Sequence, residues 1–211
     1  MENLELKRQI VHLSGIVTVP LSLLYGKFLI GILSIFLSFL ILLVSEYYKR
    51  KKKIKDKLPF KINFLERIEN IFYDTINSFE REKYIQEHPY FGAFTFFLSI
   101  GSVFVFLPPK IAYLAVTVLA VGDSSATLIG STLGKNKIPL DRSKTWEGTI
   151  GGLTISVIVC IILSLYVEIP TNYIFIAPSI GMLSEILSRK INDNITIPAS
   201  VALVLILLEL L

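Results

Sequence analysis

The chain has 211 residues, 53% of them apolar and 18% charged, with a formal net charge of +4, and its mean hydropathy is +0.64. A soluble domain, usually about 45–50% apolar, has no core large enough to absorb that excess. Long uncharged stretches alternate with short charged ones, so the chain reads as an all-α, polytopic integral membrane protein whose positive charge reports topology and not nucleic-acid binding.

Seven apolar segments follow in order: 9–25, 27–45, 90–107, 111–134, 149–167, 172–188 and 195–211. Each is about 17 to 24 residues, enough to cross a hydrocarbon core of roughly 30 Å. The first begins after Lys7 and Arg8 and lacks a small-residue cleavage site, which reads as a retained helix. With the N-terminus inside, 19 of the 21 lysines and arginines fall on the cytoplasmic side, leaving Lys27 and Lys110 outside. The run 49–53 then closes the second span as a topology anchor. Between 61 and 89, Leu65, Ile68, Phe72, Ile76 and Phe79 recur at spacings of three and four, which predicts one amphipathic helix lying in the cytoplasmic interface. No soluble domain boundary is visible, so 1–211 is read as one membrane-embedded unit. Cys160, the one cysteine, lies in an apolar run and excludes an intramolecular disulfide and a cysteine metal cluster.

The densest polar constellation that membrane spanning does not require lies at 121–149. Residues 121–135 read VGDSSATLIGSTLGK and residues 141–149 read DRSKTWEGT. Gly122, Gly130, Gly134 and Gly148 permit close approach of a backbone or a phosphate, while Lys135, Lys137, Arg142 and Lys144 can neutralise a polyphosphate. The same glycines form small-xxx-small patterns that helix packing alone explains, and a cytoplasmic loop carries cations for topology alone. Asp123 is harder to assign to structure, because a carboxylate at membrane depth is costly. A phosphate-binding P-loop is excluded: three residues, not four, separate Gly130 from Gly134, and Asn136 follows Lys135.

Glu185 closes the sixth span about one turn inside its end, where a metal ion or a cation such as Lys144 is the natural partner. Asp193 and Asn194 precede Pro198 and read either as caps of the last helix or as site residues. His12 and His88 stand at the cytoplasmic boundary of spans one and three, and each is explained equally by an interfacial position. Arg8, His12, His88, Asp123, Lys144, Glu185 and Asp193 come from different segments yet are all expected at one membrane face.

At these residues the sequence resembles the CTP-dependent polyprenol kinase family, which includes dolichol kinase, phytol kinase and CTP-dependent diacylglycerol kinase. The segments that carry the likeness are KRQIVH at 7–12, HPYFG at 88–92, GDSSA at 122–126 with Gly130 and Gly134, KTWEGT at 144–149, and Glu185 with Asp193 and Asn194. The family often has Ser where this chain has Thr145, which preserves the hydroxyl. The resemblance implies transfer of the terminal phosphoryl group of CTP, as co-substrate, to a membrane lipid alcohol such as a dolichol, polyprenol or phytol-like lipid. It also implies a divalent metal, magnesium by expectation, and an active site on the cytoplasmic side. It places Asp123, Lys144, Glu185 and Asp193 in catalysis, and Asp123, Glu185 and Asp193 as metal ligands. Gly122, Gly130, Gly134, Lys135, Arg142, Lys144, Glu147 and Gly148 fall to the nucleotide, and Arg8, His12, His88 and Asn194 to supporting positions. The expected partners are CTP, the lipid alcohol and the surrounding membrane lipids; the sequence points to no protein partner.

Two other readings remain open at this point. A CTP-dependent cytidylyltransferase making a CDP-lipid shares the helices, glycines and acids, but its motif usually ends in Lys-Asp and a Pro-Gly-His-Gly-Gly-like run, and this chain has neither. A transporter or membrane scaffold also lines its path with buried acids, distributed through the membrane depth.

Overall fold

The computed structural model describes residues 2–55, 91–188 and 191–210. The expected amphipathic connector 61–89 and His88 lie outside the described residues. Those described form helices: α1 Glu2–Ser14, α2 Thr18–Tyr25, α3 Lys27–Lys55, α4 Phe91–Phe106, α5 Pro109–Thr117, α6 Ser124–Leu133, α7 Trp146–Ser164, α8 Thr171–Leu187 and α9 Asp193–Leu210. A 3-10 turn, Gly15–Val17, joins α1 to α2, and a π-helical turn, Val118–Asp123, joins α5 to α6.

Four of these stretches are long and apolar enough to cross a membrane: Lys27–Tyr47, Pro109–Leu133, Trp146–Ser164 and Asp193–Leu210. Of the seven expected spans, four therefore meet that length and composition among the described residues. Physical reasons for the difference lie in the other three segments. Phe91–Phe106 has 16 residues and Thr171–Leu187 has 17, about 24–26 Å of helix at 1.5 Å per residue. The first segment is interrupted at its 3-10 turn, where Pro20 lacks the N–H that would close an α-helical bond to the Ile16 carbonyl.

The rod Pro109–Leu133 is the core of the molecule. Its apolar stretch is 83% buried, against about a third or less for the other three candidates, so it is the helix the others surround. Every residue of 111–126 is buried, as expected of a helix that is apolar all round. Phe96, Ile100 and Phe104 of α4, Ile174 and Met182 of α8, and Ile197, Val201 and Leu205 of α9 belong to the same core.

The two cations expected outside are both engaged at one end of the bundle. The Lys27 ammonium donates to the carbonyls of Phe104 and Leu107 at 3.0 and 2.8 Å, closing the C-terminal end of α4. Lys110 pairs with Glu209 at 2.8 Å, joining the start of α5 to the end of α9. At the opposite end, Asn194 donates to the Gly92 carbonyl (2.9 Å) and the Thr95 hydroxyl (3.2 Å), fastening the start of α9 to the start of α4. Asn192, not Asp193 or Asn194, caps α9: its side-chain oxygen accepts from the Asn194 N–H at 2.9 Å. Pro198 correspondingly sits at the sixth residue of the helix, beyond its first turn.

Candidate active site

The end of the bundle opposite Lys27 and Lys110 carries the polar cluster. Asp123 is the last residue of the π turn, and π turns, rare in general, concentrate at functional sites because the extra residue redirects a side chain. It is 7% exposed. One of its carboxylate oxygens lies 3.6 Å from His12 Nδ1, and the His12 ring packs on Phe96 with 4.5 Å between centroids. Next to Asp123, the Ser124 hydroxyl reaches the Gln9 carbonyl of α1 at 3.4 Å. Helix α1 is thus held against the central rod at the residue the sequence singled out.

Lys144 reaches the same cluster from the loop before α7. Its ammonium donates to the Glu185 backbone carbonyl at 2.5 Å and the Asp193 carboxylate at 3.1 Å, and lies 3.3 Å from the Glu185 carboxylate. The Ser188 hydroxyl donates to the other Asp193 oxygen at 2.5 Å and lies 3.3 Å from the Glu185 carbonyl. Asp123 is within electrostatic reach of Lys144, Glu185 and Asp193. Burial, the largest single influence on Lys144, disfavours its charge, but Glu185, Asp193 and Asp123 together outweigh it and hold the ammonium above the usual lysine range.

The loop 134–145 is a short hairpin. Ile138 N–H donates to the Lys144 carbonyl, Lys144 N–H to the Asp141 carbonyl and Trp146 N–H to the Asn136 carbonyl, each at 3.0 Å. Ile138 is buried beneath it, 1% exposed. Asp141 accepts from the N–H and hydroxyl of Ser143, which tightens the turn. Thr145 caps α7 by accepting from Gly148 N–H at 3.2 Å, so the hydroxyl kept at this position does structural work. Glu147 accepts from the Asn136 backbone N–H at 3.1 Å and from its amide at 2.6 Å, and therefore shapes the loop. Lys135, Lys137 and Arg142 are exposed on this hairpin.

The glycines mark where α6 and α7 cross. A Cβ on Gly148 would stand 2.5 Å from the Ala126 carbonyl and 3.0 Å from Gly130 Cα, and one on Gly152 2.7 Å from the Gly122 carbonyl. A Cβ on Gly134 would meet the Gly130 carbonyl and the Thr145 side chain. Gly122, Gly130, Gly134 and Gly148 thus pack helix against helix and loop, the alternative that their spacing left open.

Of the expected site residues, the fold brings together His12, Asp123, Lys144, Glu185 and Asp193. Arg8 is half-buried one turn before His12 on α1, Asn194 is engaged with α4, and Lys135 and Arg142 stand apart on the hairpin. The carboxylates expected as metal ligands do not fit a divalent ion as a set. The Lys144 ammonium lies between Glu185 and Asp193, and no group of three or more His, Cys, Asp or Glu side chains among the described residues converges on a point an ion could occupy. Sequence reasoning missed Ser188 and Asn192; a Ser or Asn beside acidic residues at a helix boundary is the available signal.

Residues 87–190 match the family model described as the cytidylyltransferase family. The matched stretch contains the π turn, Asp123, the hairpin, Lys144 and Glu185, and stops short of Asp193 and of α1 with His12. No curated protein and no solved structure matches the chain. Over residues 87–190 the chain is thus similar to a CTP-using enzyme family, which favours an enzyme over a transporter. That family covers both transfer of a phosphoryl group and transfer of the cytidylyl group.

Proposed function

Starting from the cytidylyltransferase-family match, we propose that this protein is a CTP-dependent lipid alcohol kinase, embedded in the membrane through several helices with its N-terminus and site on the cytoplasmic side. The observation that carries the reading is the pairing of buried Asp123 with half-buried His12. An alcohol nucleophile must lose a proton as it attacks, whereas the lipid phosphate used by a cytidylyltransferase is already anionic and needs no base. A carboxylate with an imidazole beside it, enclosed at membrane depth, suits the first task and has no evident part in the second. The motif that usually closes cytidylyltransferase sequences is also missing from this chain.

The lipid hydroxyl oxygen attacks the γ-phosphorus of CTP, the bond from that phosphorus to the bridging oxygen breaks, and CDP leaves. The hydroxyl proton passes to the Asp123 carboxylate, with His12 beside it. Phosphoryl transfer asks chiefly for alignment and charge neutralisation. Lys135, Lys137 and Arg142, exposed on the hairpin, supply positive charge to the triphosphate, and the ordered turn fixed by Glu147, Asp141 and Thr145 holds them together. The apolar outer faces of the helices let a long-chain alcohol enter sideways from the bilayer.

The alternative favoured by the name of the matching family is a cytidylyltransferase, in which pyrophosphate leaves and a CDP-lipid forms. The two reactions are separated by incubating detergent-purified protein with CTP labelled at either the α- or the γ-phosphorus and a panel of polyprenols, phytol-like alcohols, diacylglycerol and phosphatidic acid. The kinase places γ-label on the lipid and releases CDP. Transfer of α-label to lipid with release of pyrophosphate would overturn the proposal.

A further inference from the structure

We infer that Lys144 is itself the resident cation of this cluster, and that Glu185 and Asp193 are positioning residues for its ammonium and not ligands of a divalent ion. An ammonium group has three donors. Here three oxygens face it: the Glu185 carbonyl, the Glu185 carboxylate and an Asp193 carboxylate oxygen, all within 3.3 Å. The Glu185 carbonyl lies in the last turn of α8, where a helix favours a positive charge. The second Asp193 oxygen accepts the Ser188 hydroxyl proton at 2.5 Å, which fixes the orientation of that carboxylate.

The lysine is equally fixed from its own side. Its backbone N–H and carbonyl are both bonded within the hairpin, to Asp141 and Ile138, so the side chain spans from an ordered turn to the ends of two helices. Two carboxylates brought together by α8 and α9 repel each other unless a cation stands between them, and the cation they have is carried by the chain. This arrangement ties the hairpin, and with it Lys135, Lys137 and Arg142, to the helices that carry the acids. Where the phosphates are concerned, the inference rests on the proposed kinase reading; as a statement about which cation the carboxylates hold, it does not.

The test uses Mn2+ as the probe, with the purified full chain free of nucleotide. Stoichiometric Mn2+ binding is followed by electron paramagnetic resonance, and the melting midpoint is recorded with and without the ion. Wild-type protein is expected to show no bound Mn2+ that depends on Glu185 or Asp193, and no shift in melting. Lys144→Gln, which leaves the two carboxylates facing each other without their cation, is expected to bind one Mn2+ and to melt several degrees higher in its presence. Wild-type binding abolished by Glu185→Gln or Asp193→Asn would overturn the inference, as would a Lys144→Gln protein that takes up no ion. If Lys144→Gln does not accumulate, the double variant Lys144→Gln/Glu185→Gln decides. Removing a carboxylate with the ammonium is expected to restore accumulation, and failure to do so counts against the assignment. No arm of this experiment measures CTP turnover, so its outcome is separable from that of the kinase reading, which stands or falls on product identity.

Discussion

Replacing Asp123 by Asn keeps the shape of the side chain and removes its charge and its capacity to take a proton. CTP-dependent lipid phosphorylation per mole of purified protein is expected to fall by at least about 100-fold, the scale of losing an acid-base group in the transition state. The variant should still elute as a single species on size exclusion, because loss of a buried carboxylate lowers its desolvation cost. Near-wild-type turnover in a well-behaved variant would remove Asp123 from the chemistry. Asp123 and Glu185 were legible in the sequence because each is a charge in an apolar run. Lys144 could be named as the partner of Glu185 from its cationic chemistry alone. The pairing of Asp193 with that same lysine, and the capping of α9 by Asn192, were not legible. Asn192, Asp193 and Asn194 are three consecutive residues of capping type, and composition cannot say which of them turns inward.

Among the elements, the crossing of α6 and α7 is the most sensitive contact at the site, since the two backbones approach with no side chain between them. Gly148→Ala puts a methyl group 2.5 Å from the Ala126 carbonyl, a backbone atom that cannot yield without moving α6. Overpacking of this kind costs about 1–3 kcal/mol, and the variant is expected to melt several degrees below wild type in detergent. An unchanged melting midpoint would show that the helices can part at no cost. That the glycines form a contact between helices was one of two readings their spacing allowed. A glycine that admits a phosphate and one that admits another helix are identical in sequence, and only the position of α7 separates them. Helix bounds were legible to within about three residues for α7, α8 and α9, because Thr145, Pro170 and Asn192 punctuate an otherwise apolar chain.

For the whole molecule, the up-and-down course of the helices agrees with the separation of charge. Lys27 and Lys110 lie together at one end and are engaged by the Phe104 and Leu107 carbonyls and by Glu209, while the site cations lie at the other. The orientation proposed here places position 51 in the cytosol and position 170 outside. In a Cys160→Ser background, Pro170→Cys should react with an impermeant thiol reagent on intact cells and Lys51→Cys only after lysis; the reverse pattern would invert the orientation. The π turn between α5 and α6 was not legible, since a buried run that is apolar on every face has no periodicity to betray a change of pitch. Its consequence reaches across the whole bundle. A single extra residue in the central rod turns everything after it by about 100° relative to everything before it, so the register of the two halves depends on that residue. Deleting Ala120 should let the turn relax to an α-helix and swing Asp123 away from His12. The site would then be dismantled with every one of its functional side chains still present in the chain.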